Sequence, residues 1–180
     1  MVQYKCRYYL NLIKTMSANY TGVKQKAEQV LRENFITAPP VDIYEIAKNE
    51  GLSVEIKDFG DKFNNVSGYI KPEIRTIFVN SRDSENRRKF TIAHELGHWI
   101  LHRNKLESEP EKYAVLYRIP LGRLQDDPIE QEANYFAANL LVPEEMFVAR
   151  RNGKTDEELA TEFGVSRDVI GYRINDLNRV

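Results

Sequence analysis

The stretch KFTIAHELGHWILH, residues 89–102, holds all three histidines of the chain, and two of them bracket a glutamate as H-E-L-G-H. On an α-helix each residue turns about 100° and rises about 1.5 Å, so His94 and His98 stand roughly 40° apart around the axis and about 6 Å apart along it. Two imidazoles so placed converge on one metal ion with Zn–N bonds of about 2.0–2.1 Å. Glu95 points roughly 60° to the side of His98, within reach of a metal-bound water but not of the metal. The division of labour is that of H-E-x-x-H: two neutral ligands hold zinc and the carboxylate takes a proton from the activated water. A core helix that merely carries histidines is the rival explanation. Phe90, Ala93, Gly97, Ile100 and Leu101 supply an apolar stripe of their own, so the histidines are not needed for packing.

A catalytic zinc needs a third protein ligand and one open position. His102 shares the face of His94 and His98 but lies another 6 Å or so along the axis, too far for the same ion on a straight helix. Its expected role is packing or contact with substrate. A pattern with a third histidine six residues after the second, past a glycine, fails, because those positions are Asn104 and Leu101. The next helical stretch offers Glu130 and Asn134, four apart and on one face. The spacing E-x-x-x-N resembles the E-x-x-x-D of zinc proteases whose third ligand is a glutamate. Glu130 is assigned to the metal on that basis, with Asn134 accepting the free ring N–H of His94 or His98. Glu132 is the competitor. It lies about 200° around the helix from Glu130, so only one of the two is expected to face the site.

These residues need two helices to present them. The first is expected over about 84–103, after the cap-rich NSRDSEN. The second starts at Pro128, behind Asp126 and Asp127 as caps, and runs to Pro143. Upstream, Val23, Ala27, Val30 and Leu31 recur at helical spacing, Pro39-Pro40 break that helix, and Asp42 with Glu45 opens another that stops at Gly51. Leu52, Val54 and Ile56 then alternate with polar residues, and VSGYI and RTIFVN follow. They are expected to form a small three-stranded antiparallel sheet, giving an α+β, mostly helical fold. The polar stretch 104–127 is expected to be a long loop, in which Tyr113, Tyr117 and Arg118 are candidates for substrate or transition-state contacts. The expected organisation is an extension over 1–19, a zinc metallopeptidase domain over 20–150 and a helix-turn-helix-like lobe over 151–180. Residues 1–15 have no clear pattern and read either as an upstream extension before Met16 or as a first helix.

The sequence resembles the ImmA/IrrE family of bacterial metallopeptidases. VSGYI…IFVN, RRKFTIAHELGHWILH, IEQEANYFAANLLVP and the tail EELATEFGVSRDVIGYRIND carry the likeness across most of residues 20–177. The resemblance implies a zincin-like domain holding one Zn²⁺ per chain, with His94, His98 and Glu130 as ligands and Glu95 as catalytic acid and base. It further implies a protein substrate: a helix-turn-helix repressor whose cleavage relieves repression of a phage, a mobile element or a stress regulon. Asn134 stands where related zinc proteases have Asp, which weakens charge assistance to the imidazole.

The tail sets up a second functional class, a DNA-binding regulator or stress sensor with a non-catalytic zinc. Thr155 and Glu158 form a capping box, Gly164 marks the turn and Ser166 opens a second helix. Charge argues against DNA contact. Residues 155–180 carry six acids (Asp156, Glu157, Glu158, Glu162, Asp168, Asp176) and three bases (Arg167, Arg173, Arg179), an excess that repels phosphate. The whole chain, with 26 Lys+Arg and 27 Asp+Glu, offers no long-range attraction to nucleic acid or anionic membrane. No apolar run approaches the roughly 20 residues of a membrane span. Cys6 is the only cysteine and the N-terminus lacks a signal-peptide pattern, so the expected compartment is the cytoplasm.

Overall fold

A computed structural model describes residues 18–108 and 127–178 of the 180-residue chain. The N-terminal extension up to residue 17 and the candidates Tyr113, Tyr117 and Arg118 lie outside the described residues. Among the described residues are seven α-helices and one three-stranded sheet.

Helix α1 (Tyr20–Glu33) buries Val23, Ala27, Val30 and Leu31, the four residues picked out by their spacing. Helix α2 (Ile43–Asn49) is capped by Asp42, whose carboxylate accepts the backbone N–H groups of Tyr44 and Glu45 at 3.1 Å each. It ends before Gly51, whose φ of 76° suits a residue without Cβ. The strands are β1 (Ser53–Lys57), β2 (Gly68–Lys71) and β3 (Thr76–Asn80).

The strand order is β1-β3-β2, and the sheet is mixed. β2 and β3 pair antiparallel, Gly68 opposite Val79, whereas β1 runs parallel to β3, Ser53 beside Thr76. This corrects the expectation of an all-antiparallel sheet. All five residues of β3 are buried, so β3 belongs in the centre, with more polar strands on either edge. β1 exposes Glu55, Ile56 and Lys57 to solvent. The alternation that includes Ile56 therefore marks an edge strand. Because β2 occupies the far edge, β1 meets β3 only after the chain has passed through that whole excursion, which is what a parallel pair requires.

Helix α3 (Glu85–Ser108) begins where Ser84 Oγ accepts the Arg87 N–H at 3.3 Å. It runs past the expected end near 103, and the backbone leaves α geometry within it, at His102 (φ −123°, ψ 15°). Its buried stripe is Ile92, Ala93, Leu96 and Trp99, with Phe90, Ile100 and Leu101 half-buried against the core. Helix α4 (Pro128–Leu141) is capped by Asp127, which accepts the Ile129 N–H at 3.0 Å. A short helix α5 (Glu144–Arg150), not anticipated from the sequence, follows Pro143.

The tail forms helices α6 (Asp156–Phe163) and α7 (Arg167–Leu177). The Thr155–Glu158 capping box is complete, and Gly164 turns the chain at φ 64°. Ser166 occupies the N-cap of α7 but makes no side-chain cap bond. Leu159, Phe163, Val165 and Ile170 join one apolar cluster with Ile92, Leu96, Phe136 and Leu140. Arg173 is completely buried; its guanidinium donates to Val142 O at 3.0 Å and bonds Asp176. Arg167 pairs with Glu157 at 2.6 Å.

Two close approaches seat α3. A Cβ on Gly68 would come 2.5 Å from both Phe78 O and Thr91 Cγ2, so glycine is what lets β2 lie against α3. A Cβ on Gly97 would come 3.1 Å from Phe136 Cδ1 and 3.3 Å from Ala133 Cα. Glycine inside H-E-L-G-H thus sets the spacing between α3 and α4, and with it the distance from the histidines to Glu130.

Candidate metal centre

Helical spacing brings His94 and His98 to one face of α3, and their Nε2 atoms stand 3.0 Å apart. The first turn of α4 presents Glu130 to the same point, one oxygen 3.2 Å from His94 Nε2 and the other 3.3 Å from His98 Nε2. Ligands about 2.0–2.1 Å from a tetrahedral zinc stand roughly 3.3 Å from each other. The observed separations fit that size, and these three residues form the one cluster of potential metal donors among the described residues.

Hydrogen bonding around the rim leaves the centre without donors. Asn134 Oδ1 lies 3.0 Å from His94 Nδ1, so in the neutral imidazole Nδ1 carries the proton and Nε2 presents a lone pair. Glu130 presents only acceptor oxygens. A cation satisfies acceptors that otherwise face one another in a buried space. The donor set of two imidazoles and one carboxylate also suits zinc.

Burial holds His98 down to about pKa 4, against the pull of Glu130, so it is neutral at physiological pH. Burial also opposes the charged form of His94, but its contact with Glu130 outweighs this and raises it. Burial acts to raise Glu130, and the His94 and His98 rings facing its oxygens more than reverse this, holding it well below the usual carboxylate range.

Glu95 is 2% exposed. Burial pushes its carboxyl up to about 7, against the nearby His94 and the backbone N–H of Ile70. Its Oε2 has no hydrogen-bond partner among the described residues. A proton acceptor poised near neutrality beside the cluster is the environment general-base chemistry uses.

His102, too far along α3 to join the donors, is buried between two neighbours. Its Nδ1 lies 3.2 Å from His98 Nδ1 and its Nε2 lies 2.8 Å from Glu132 Oε2. Glu132 is therefore engaged as well as Glu130, though with a different histidine. Its other oxygen accepts the Asn19 N–H at 2.8 Å. The sequence offers both acids, but not the fact that one helix faces three histidines, Glu130 meeting His94 and His98 and Glu132 meeting His102. A cavity of about 260 Å³ adjoins Asn134, walled by Phe90, Ala138, Val169 and Tyr172.

A helix-borne imidazole pair facing a carboxylate from the next helix, with a buried glutamate alongside, is a possible metal site of the kind a metallopeptidase needs. The chain belongs to the IrrE N-terminal-like domain family of metallopeptidases, whose model matches residues 47–175. It is similar to the metallopeptidase ImmA of Bacillus subtilis (strain 168), 22% identical over 161 residues that cover 87% of this chain and 86% of that one. The radiation response metalloprotease IrrE of Deinococcus radiodurans is 32% identical over 95 residues, 52% of this chain but 27% of that protein. An uncharacterized immunity region protein 2 of Bacillus phage phi105 is 27% identical over 164 residues, 89% and 93% of the two chains. Among solved structures, a Mycobacterium tuberculosis transcriptional regulator shares the fold, with TM-score 0.61 and 22% identity. The comparison covers 84% of this chain and 46% of that one. Among the described residues no helix is long and apolar enough to cross a membrane.

Proposed function

We propose that this metallopeptidase is a zinc endopeptidase, with one ion held by His94, His98 and Glu130 and with Glu95 as general base and acid. The observation that carries this reading is the meeting of three acceptor groups from two helices at 3.0–3.3 Å beside a buried carboxylate oxygen without a partner among the described residues. A zinc ion there supplies Lewis acidity, polarising the scissile carbonyl and making a water acidic near neutral pH. The rest falls to the chain. Asn134 holds His94 by its Nδ1–H. Glu95 takes the proton from the attacking water and passes it to the leaving amine. The cavity beside Asn134 has room for a substrate side chain.

The substrate is proposed to be a helix-turn-helix repressor. The ImmA/IrrE resemblance supports this, and so do the relatives named for phage immunity and for the radiation response. DNA binding by the tail has less support: Arg173 is buried and bonded within the fold, and Arg167 is paired with Glu157. The test is to incubate the purified chain with a helix-turn-helix repressor encoded beside it, with zinc and with a chelator. Zinc-dependent appearance of two fragments is the expected result. An intact repressor together with a gel shift by the peptidase alone would favour the regulator reading.

A further inference from the structure

His98 is wholly buried, so its second ring nitrogen needs a partner inside the protein. The partner is His102, not a carboxylate or a carbonyl. Two ring nitrogens 3.2 Å apart bond only if one carries a proton and the other does not, so the pair must be held in complementary tautomers. The carboxylate at the far end selects them. Glu132 can only accept, so His102 Nε2, 2.8 Å away, is the donor. Neutral His102 then has a bare Nδ1, which accepts the Nδ1–H of His98. His98 in turn has a bare Nε2, the atom facing Glu130 and His94. Each link follows from the one before it, starting from an acid two residues after Glu130.

The chain of bonds is anchored at its outer end. Glu132 Oε1 accepts the backbone N–H of Asn19 at the start of α1, and Tyr20 Oη donates to Gln131 at 3.0 Å. At the middle link, α3 departs from helical geometry at His102 itself, the residue whose ring must reach both His98 and Glu132. His94, by contrast, is served directly by Asn134.

We propose that His102 and Glu132 are positioning residues of the metal centre, a two-step relay that fixes the tautomer and ring orientation of His98. The relay rests on the reading that His94, His98 and Glu130 bind zinc. Partners of this kind are worth about 10–100-fold in metal affinity. The charge of Glu132 reaches His98 only through a second imidazole.

The test measures zinc affinity of the full chain against a chromophoric chelator and the visible spectrum of the Co²⁺-substituted protein, with circular dichroism to verify folding. His102→Leu fills the space without bonding, and an affinity drop of about 10–100-fold with an altered Co²⁺ spectrum is expected. His102→Gln can still accept from His98 and donate to Glu132, and should recover most of the loss. Glu132→Gln, at a partly exposed position, should weaken binding severalfold. Glu132→Leu added to His102→Leu should cost nothing further, since the relay is already cut. Wild-type affinity in His102→Leu, equal losses in His102→Leu and His102→Gln, or additive losses in the double variant would each overturn the relay while leaving the metal site intact. A wild-type chain that binds neither Zn²⁺ nor Co²⁺ would overturn both readings.

Discussion

Asn134 Oδ1 stands 3.0 Å from His94 Nδ1, and this contact settles which ring nitrogen of His94 turns toward Glu130. The amide accepts the ring proton without a formal charge, so it orients the imidazole but adds less to its basicity than a carboxylate would. Asn134→Ala should lower zinc affinity about 10–100-fold. Asn134→Asp should raise it above wild type. Competition with a chromophoric chelator measures both, and an Asp variant no tighter than Asn would show that charge at this position is unimportant.

Glu95 lies beside the three potential metal donors without being one of them. Glu95→Gln keeps size and burial but removes the proton acceptor. Zinc stoichiometry should stay at one per chain while cleavage falls by about 10²–10⁴-fold. Repressor cleavage in this variant at the wild-type rate would remove Glu95 from the mechanism.

Glu130 should behave differently from its neighbour two residues on. Glu130→Gln takes a charged donor from the centre itself, so its loss of zinc affinity should exceed the roughly 100-fold upper range for outer partners. Metal content after dialysis, compared between Glu130→Gln and Glu132→Gln, checks the order. The reverse order would exchange the roles of the two acids.

Gly97 decides how near α4 comes. Alanine there gains about 1 kcal/mol of helix propensity. It also forces a Cβ to 3.3 Å from the Ala133 backbone, which cannot yield without moving α4. Overpacking of this sort costs about 1–3 kcal/mol, so the clash should win. Gly97→Ala is expected to lower both thermal stability and zinc affinity, because Glu130 moves with the helix. Thermal melts with and without zinc read the two effects separately.

The tail offers a test of stability alone. Thr155→Ala removes a cap worth about 1 kcal/mol. Glu158 is held below its ordinary value first by the Thr155 backbone N–H and then by the Thr155 hydroxyl. That contribution is present above the unfolded-state value of about 4.3 and fades as pH falls through the lower folded value. The stability gap between wild type and Thr155→Ala should therefore narrow in acid. Urea melts at pH 7 and pH 3 measure it, and a gap that widens in acid would contradict the capping box.

Features that depend on neighbours along one helix were legible in the sequence. The faces of His94 and His98, the caps Asp42, Asp127 and Thr155, and the buried stripe of α1 all follow from helical period and side-chain reach. Helix α5 escaped because its seven residues bury only Phe147 and show no clear period. Sheet order escaped because alternation in β1 does not say which strand lies beside it. β3 took the centre because both its faces are covered.

Sequence alone determined that two imidazoles and a glutamate share one helix in metal-binding spacing, because the α-helix fixes those angles without help from the rest of the chain. Tertiary structure alone decided how the two acids divide, with Glu130 facing His94 and His98 while Glu132 takes His102, and that Asn134 serves His94 rather than His98. Those choices depend on how far apart and in what rotation α3 and α4 pack. That is set by contacts such as Gly97 against Ala133 and Phe136, which join residues nearly forty positions apart.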